Sequence, residues 1–142
     1  MADVSILETF DVNHGAFETA GEASATIKRT LKKLGVDVSI LRRVAVATYE
    51  VELNLIIHSV GGQLMLSVDE NWVYVTSKDM GPGIPDIEKA MTEGYSTAPE
   101  DVRTLGFGAG MGLPNMKRNA DDFTIESAVG VGTTIRMGFK LN

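Results

Sequence analysis

The chain contains no cysteine, which excludes disulfide staples and thiolate chemistry and is compatible with a reducing cytosol. It also lacks any apolar run approaching the roughly 20 residues of a membrane span. The segment Met1 to Thr9 carries two acids and no basic cluster ahead of an apolar core, so it does not read as a secretory leader. Positive charge is in deficit: 13 basic against 19 acidic side chains give a formal net charge of −6, which opposes attraction to nucleic acid or anionic lipid. Repeats, low-complexity tracts and linkers are absent as well. These exclusions leave a soluble, cytoplasmic protein with protein or small-molecule partners. Its 142 residues suit one domain spanning 1–142, able to bury roughly 70% of the surface its unfolded chain exposes.

What is present is periodic. Val4, Ile6, Phe10 and Val12 alternate with mostly polar residues and predict a first strand. From Ala16 to Leu34 apolar residues recur at three or four, with Gly35 as a C-terminal stop, which predicts an amphipathic helix. A second helix is expected from Ser39 as N-cap to about Ser59, with Leu41, Val44, Ala45, Thr48, Val51, Leu55 and Ile56 inward. The stretch "QLMLSVDENWVYVTSKD" reads as an antiparallel hairpin turning at Asp69, Glu70 and Asn71.

"MGPGIPD" breaks regular structure, and Asp86 can cap a short helix through Met91. Thr92 to Gly112 has no periodicity and is too long for an ordinary connector, as functional lids are. A helix from about Leu113 or Pro114 to Ala120 and a closing hairpin, "FTIES" and "TTIRMGF", complete the chain. The order β-α-α-β-β-α-lid-α-β-β predicts an α+β fold, a two-layer sandwich of one mainly antiparallel mixed sheet with its helices on one face.

Glycine falls at every second position from Gly106 to Gly112 in "GFGAGMGLPN". Such a run frees backbone N–H groups to approach a ligand, and phosphate is the commonest one. The dinucleotide fingerprint fails, because the sixth position counted from Gly106, Gly108 or Gly110 is Met111, Leu113 or Asn115. A P-loop fails too, since Leu113 and Pro114 follow Gly112 where Lys and Ser or Thr are needed.

In "YEVELNLIIHS" the residues Glu50, Asn54 and His58 recur at four, forming a polar row with neighbours roughly 5–6 Å apart on a helix. The row is either a solvent-facing stripe or a site in which the Asn54 amide oxygen serves as a hard ligand and the Glu50 carboxylate takes a proton. Glu52 points elsewhere and is expected to be solvated. Asp79, ahead of Gly81 and Gly83, is either a turn-forming residue or an acceptor for an exocyclic amine beside a turn that lets a flat ring lie close. Gly130 and Gly132 in "VGVGTT" are open to the same pair of readings.

The order and spacing of these motifs resemble the GHKL ATPase superfamily, the histidine-kinase-like Bergerat ATP-binding fold. "EVELNLIIH" resembles its N box, "DMGPG" its first glycine box, "GFGAGMGLPNMKR" its lid and second glycine box, and "GVGTT" its last motif, together spanning Tyr49 to Thr134. The resemblance implies that ATP is the ligand and that Asn54 binds a Mg²⁺ bridging its phosphates. It implies that Asp79 recognises the adenine amine, that Gly81 and Gly83 shape the adenine pocket, and that Thr133 contributes at the adenine end. Gly106, Gly108, Gly110, Met111, Gly112 and Leu113 would form the lid and the helix start offering N–H groups to phosphate. Lys117 and Arg118 are either phosphate contacts or solvated charges.

Sensor kinases and the topoisomerase, chaperone and mismatch-repair members carry further segments for which this length leaves no room. "AMTEGYST", "GAGMGLPNMKR" and "DDFTIES" resemble the small anti-sigma-factor and stressosome switch-type serine/threonine kinases. That resemblance implies an ATP-dependent kinase acting on a STAS-domain protein, with Glu50 as general base and His58 supporting the site. A sigma factor is a possible further partner, Ser96 and Thr97 are candidate partner or nucleotide contacts, and the chain is a monomer or a homodimer. The alternative is an anti-sigma-like protein that acts by nucleotide-gated sequestration with little or no catalysis.

Overall fold

The computed structural model describes residues 6–13, 15, 17–58, 61–79, 81, 91 and 112–141. Strand β1 (Ile6–Val12) leads through a 3-10 turn (Phe17–Thr19) to helices α1 (Glu22–Lys33) and α2 (Val38–His58). Strands β2 (Gly62–Val68) and β3 (Trp72–Asp79) follow, then helix α3 (Gly112–Asn119) and strands β4 (Asp122–Ala128) and β5 (Gly132–Lys140). The strands form one five-stranded sheet in the order β1-β2-β3-β5-β4, and every ladder is antiparallel. The expected helix after Asp86 and the lid from Thr92 to Met111 lie outside the described residues, Met91 excepted.

Alternation assigns the faces of the sheet. Leu64, Leu66 and Val68 of β2, Val73 and Val75 of β3, and Ile135, Met137 and Phe139 of β5 are buried on one side. They share a core with Ile27 and Leu31 of α1, Val44, Val51 and Leu55 of α2, and Met116 of α3, giving the two layers. Each such side chain contributes roughly 1.5–3 kcal/mol by leaving water. On the open face Trp72 and Tyr74 stack at 5.6 Å and the Arg136 guanidinium lies 4.2 Å over the Tyr74 ring. Gly138 leaves room for them, because a Cβ there would come within 2.9 Å of that ring.

The structure moves two helix starts. The helix expected from Ala16 begins only at Glu22, because Gly21 takes φ 94°, outside the right-handed helical region. The cap expected at Ser39 belongs to Asp37, whose carboxylate accepts from the Ser39 N–H at 3.1 Å and from its hydroxyl. Those bonds hold the exposed Asp37 carboxyl below its ordinary value. The β2–β3 hairpin turns as expected, on Asp69, whose Oδ1 accepts from the N–H groups of Asn71 and Trp72 at 2.7 and 2.8 Å.

Candidate active site

Helix α2 carries the polar row across the sheet's buried face. Val44, Thr48, Val51 and Leu55 turn to the core, which leaves Glu50 and Asn54 half-buried on the helix flank, one turn apart. His58 is the last residue of α2, and its side chain lies outside the described residues. Beside α2 runs α3, in the opposite sense. Arg43 donates to the Asn119 carbonyl and to Asp121, each at 3.2 Å, whereas seven residues on, Glu50 Oε1 accepts from Asn115 Nδ2 at 3.4 Å.

Asn54 lies one turn further along α2, and α3 begins at Gly112, three residues before Asn115. At that helix start Gly112 and Leu113 carry N–H groups with no partner inside the helix, and Pro114 falls where an N–H would be orphaned in any case. The Leu113 side chain is buried, so this residue offers only its backbone to a ligand. Lys117, two turns from the helix start at most, is exposed. Glu50 is thus a carboxylate set between two helices. Burial raises its pKa above the ordinary glutamate value, and the Asn115 bond offsets part of that rise.

The second half of the site stands at the end of the central strand. Asp79 closes β3, and its Oδ1 accepts from the backbone N–H of Gly81 at 3.0 Å and of Thr133 at 2.9 Å. One carboxylate oxygen is thereby fixed and the carboxylate is oriented. Gly132, beside Thr133, has φ 146°, and a Cβ on it would lie 2.2 Å from the Asp79 carbonyl oxygen. On the other flank a Cβ on Gly62 would lie 2.3 Å from the Lys78 carbonyl and 3.0 Å from a Leu55 methyl. Glycines on both neighbouring strands let β3 deliver Asp79 close to α2. Gly132 is therefore needed for this approach as well as for the turn. Thr133 is buried, with its hydroxyl 2.9 Å from that of Ser127, a partner sequence reasoning did not single out.

Glu52 corrects an expectation. It is 3% exposed, and its carboxylate accepts from the N–H groups of Gly21, Ala23 and Ser24 at 3.1, 3.4 and 3.0 Å. It caps α1 from another helix, in place of a side-chain cap that Gly21 cannot supply. Asn115, too, was not singled out. Gly83, Gly106, Gly108, Gly110, Met111, Ser96 and Thr97 lie outside the described residues. Among the described residues no group of three or more His, Cys, Asp or Glu could hold a metal ion, and no helix is long and apolar enough to cross a membrane.

Residues 39–142 match the family described as histidine kinase-, DNA gyrase B- and HSP90-like ATPase. The chain belongs to this family of ATP-using enzymes. Within the family it is 32% identical over 113 residues to the serine/threonine-protein kinase RsbT of Bacillus subtilis, covering 77% of this chain and 79% of that one. It is 33% identical over 121 residues to an anti-sigma F factor of Bacillus velezensis, covering 81% and 80%. A solved SiaB–SiaC complex from Pseudomonas aeruginosa shares the fold, with a TM-score of 0.63 at 11% identity, covering 96% of this chain and 89% of that one.

Proposed function

We propose that this member of the ATPase family is a serine/threonine protein kinase that transfers the γ-phosphoryl group of ATP to a hydroxyl of a STAS-domain partner. The whole chain, 1–142, acts as one kinase domain in the cytoplasm, alone or as a homodimer. The observation that carries the reading is Glu50: a half-buried carboxylate one helical turn from Asn54, facing the helix that starts at the second glycine box. Relatedness to a serine/threonine-protein kinase and to anti-sigma F factors supports it.

In this reading Asp79 accepts a hydrogen bond from the adenine amine through the oxygen its backbone partners leave over, with Gly81, Gly83 and Thr133 around the ring. The N–H groups at the start of α3 and those of Gly106, Gly108, Gly110 and Met111 hold the phosphates, and Lys117 adds charge. The Asn54 amide would hold a Mg²⁺, because its oxygen is hard and no cage of acids is required. An ion held there would supply neutralisation of charge on the phosphoryl group. Glu50 takes the proton of the acceptor Ser or Thr hydroxyl as its oxygen bonds to the γ-phosphorus. The bond from that phosphorus to the bridging oxygen breaks, and ADP leaves with the electron pair. His58 supports the site from the end of α2.

The test is incubation with γ-labelled ATP, Mg²⁺ and the STAS-domain proteins of the same cell. Label on Ser or Thr is expected with wild type, and a loss of about 10²–10⁴-fold with Glu50→Gln at little cost in ATP affinity. Unchanged transfer by that variant would refute the base assignment. The relationship to an anti-sigma F factor favours a second reading, in which ATP gates sequestration of a sigma factor. ATP binding without label on any STAS-domain protein, together with capture of a sigma factor, would support it.

A further inference from the structure

We infer that Asn115 is a positioning residue for the phosphoryl transfer: its side-chain amide bridges Arg118 and Glu50 and fixes which carboxylate oxygen is free to meet the acceptor hydroxyl. The inference rests on the reading of Glu50 as general base. Asn115 Nδ2 donates to Glu50 Oε1 at 3.4 Å, and Asn115 Oδ1 accepts from Arg118 Nη1 at 3.2 Å. A guanidinium only donates and a carboxylate only accepts, so the amide has one orientation that satisfies both neighbours. That orientation engages Oε1 and leaves Oε2 for the incoming proton.

The identity of the bridging group matters. An arginine in direct contact with Glu50 would form an ion pair and depress a carboxyl pKa by roughly 1–3 units, weakening it as a base. The interposed amide passes on the orientation of Arg118 without its full charge. Among the described residues, Arg43, two turns earlier on α2, is paired with Asp121 at 3.2 Å, and Lys117 is exposed. Asn is a poor residue inside a helix. The packing of α3 does not require this amide, since the helix is anchored by buried Leu113 and Met116 and by Arg43 on the Asn119 carbonyl. The bond at 3.4 Å is long, as catalytic hydrogen bonds often are before the reacting complex tightens them.

The experiment is a double-mutant cycle on Asn115→Leu and Glu50→Gln, using a STAS-domain protein that accepts label from wild type. Asn115→Leu is expected to lower kcat roughly tenfold to a hundredfold while the dissociation constant for Mg·ATP stays within about twofold, as an interaction made only along the reaction requires. In the Glu50→Gln background it should cost nothing more. Carbon-13 NMR of the Glu50 carboxyl, needing neither nucleotide nor partner, should show its midpoint moving up in Asn115→Leu. Should the leucine variant not fold, Asn115→Ala serves for both measurements.

An unchanged kcat and unchanged midpoint, or equal losses in both backgrounds, would overturn the inference while leaving Glu50 as the base. Wild-type transfer by Glu50→Gln alone would remove the underlying reading, and this inference with it.

Discussion

Replacing Glu52 by methionine tests the claim that one helix caps another. The side chain is similar in length and apolar, so the space stays filled while the acceptor is lost. Three N–H groups at the start of α1 lose their partner, two of them at 3.0 and 3.1 Å and the third at a weaker 3.4 Å. Hydrogen bonds to a charged group contribute about 1.5–3 kcal/mol each, and the donors, being backbone, cannot be substituted away to relieve the loss. Counting the two short bonds gives about 3–6 kcal/mol. The lower half of that range is expected, because a cavity of about 250 Å³ lined in part by Glu52 and Ala23 lets water reach the freed amides. With an m-value of about 2 kcal/mol/M, a loss of about 3 kcal/mol lowers the urea midpoint by about 1.5 M. Glu52→Gln keeps one acceptor oxygen and should lose about half as much. Equilibrium urea denaturation at pH 7 measures both. A midpoint for Glu52→Met within about 0.3 M of wild type, at unchanged m, would refute the capping argument.

Gly132→Ala should destabilise the fold by about 2 kcal/mol or more and weaken ATP binding, since the new Cβ would meet the Asp79 carbonyl at 2.2 Å and the backbone is at φ 146°. Thermal unfolding and calorimetric titration with ATP read the two effects. Thr48→Val should stabilise by about 1 kcal/mol, because the buried Thr48 hydroxyl has no partner among the described residues and the replacement keeps its shape. Denaturant midpoints check it.

Glu50 gives a pH-dependent sign. Its folded pKa is raised by burial above an ordinary value of 4.5, so the folded state binds the proton more tightly than the unfolded one. Stability is therefore lost as pH rises from the ordinary glutamate pKa through the folded one. Glu50→Gln should unfold at a higher urea concentration than wild type at pH 7, with the difference vanishing below about pH 4. Equal midpoints at both pH values would show that the carboxylate carries no burial penalty.

Features legible in the sequence were those written in neighbouring residues. The period of three to four over α2, the alternation in both hairpins and the turn at Asp69 are local patterns, set by side chains one helical turn or one strand pair apart. Motif order likewise carried the family and put Glu50 and Asn54 on one helix flank. Tertiary structure decided the features whose cause lies far along the chain. The acceptor that caps α1 comes from Glu52, 28 to 31 residues away, so the periodicity of α2 could only assign that glutamate to solvent. Asn115 reaches Glu50 across 65 residues, and Thr133 orients Asp79 across 54. Gly132 read equally well as a turn glycine until β3 packed its Asp79 carbonyl against it. A hydrogen bond or a steric contact depends on distance in space, and only the packing of α2 against α1 and α3 and the pairing of β3 with β5 bring these groups within reach.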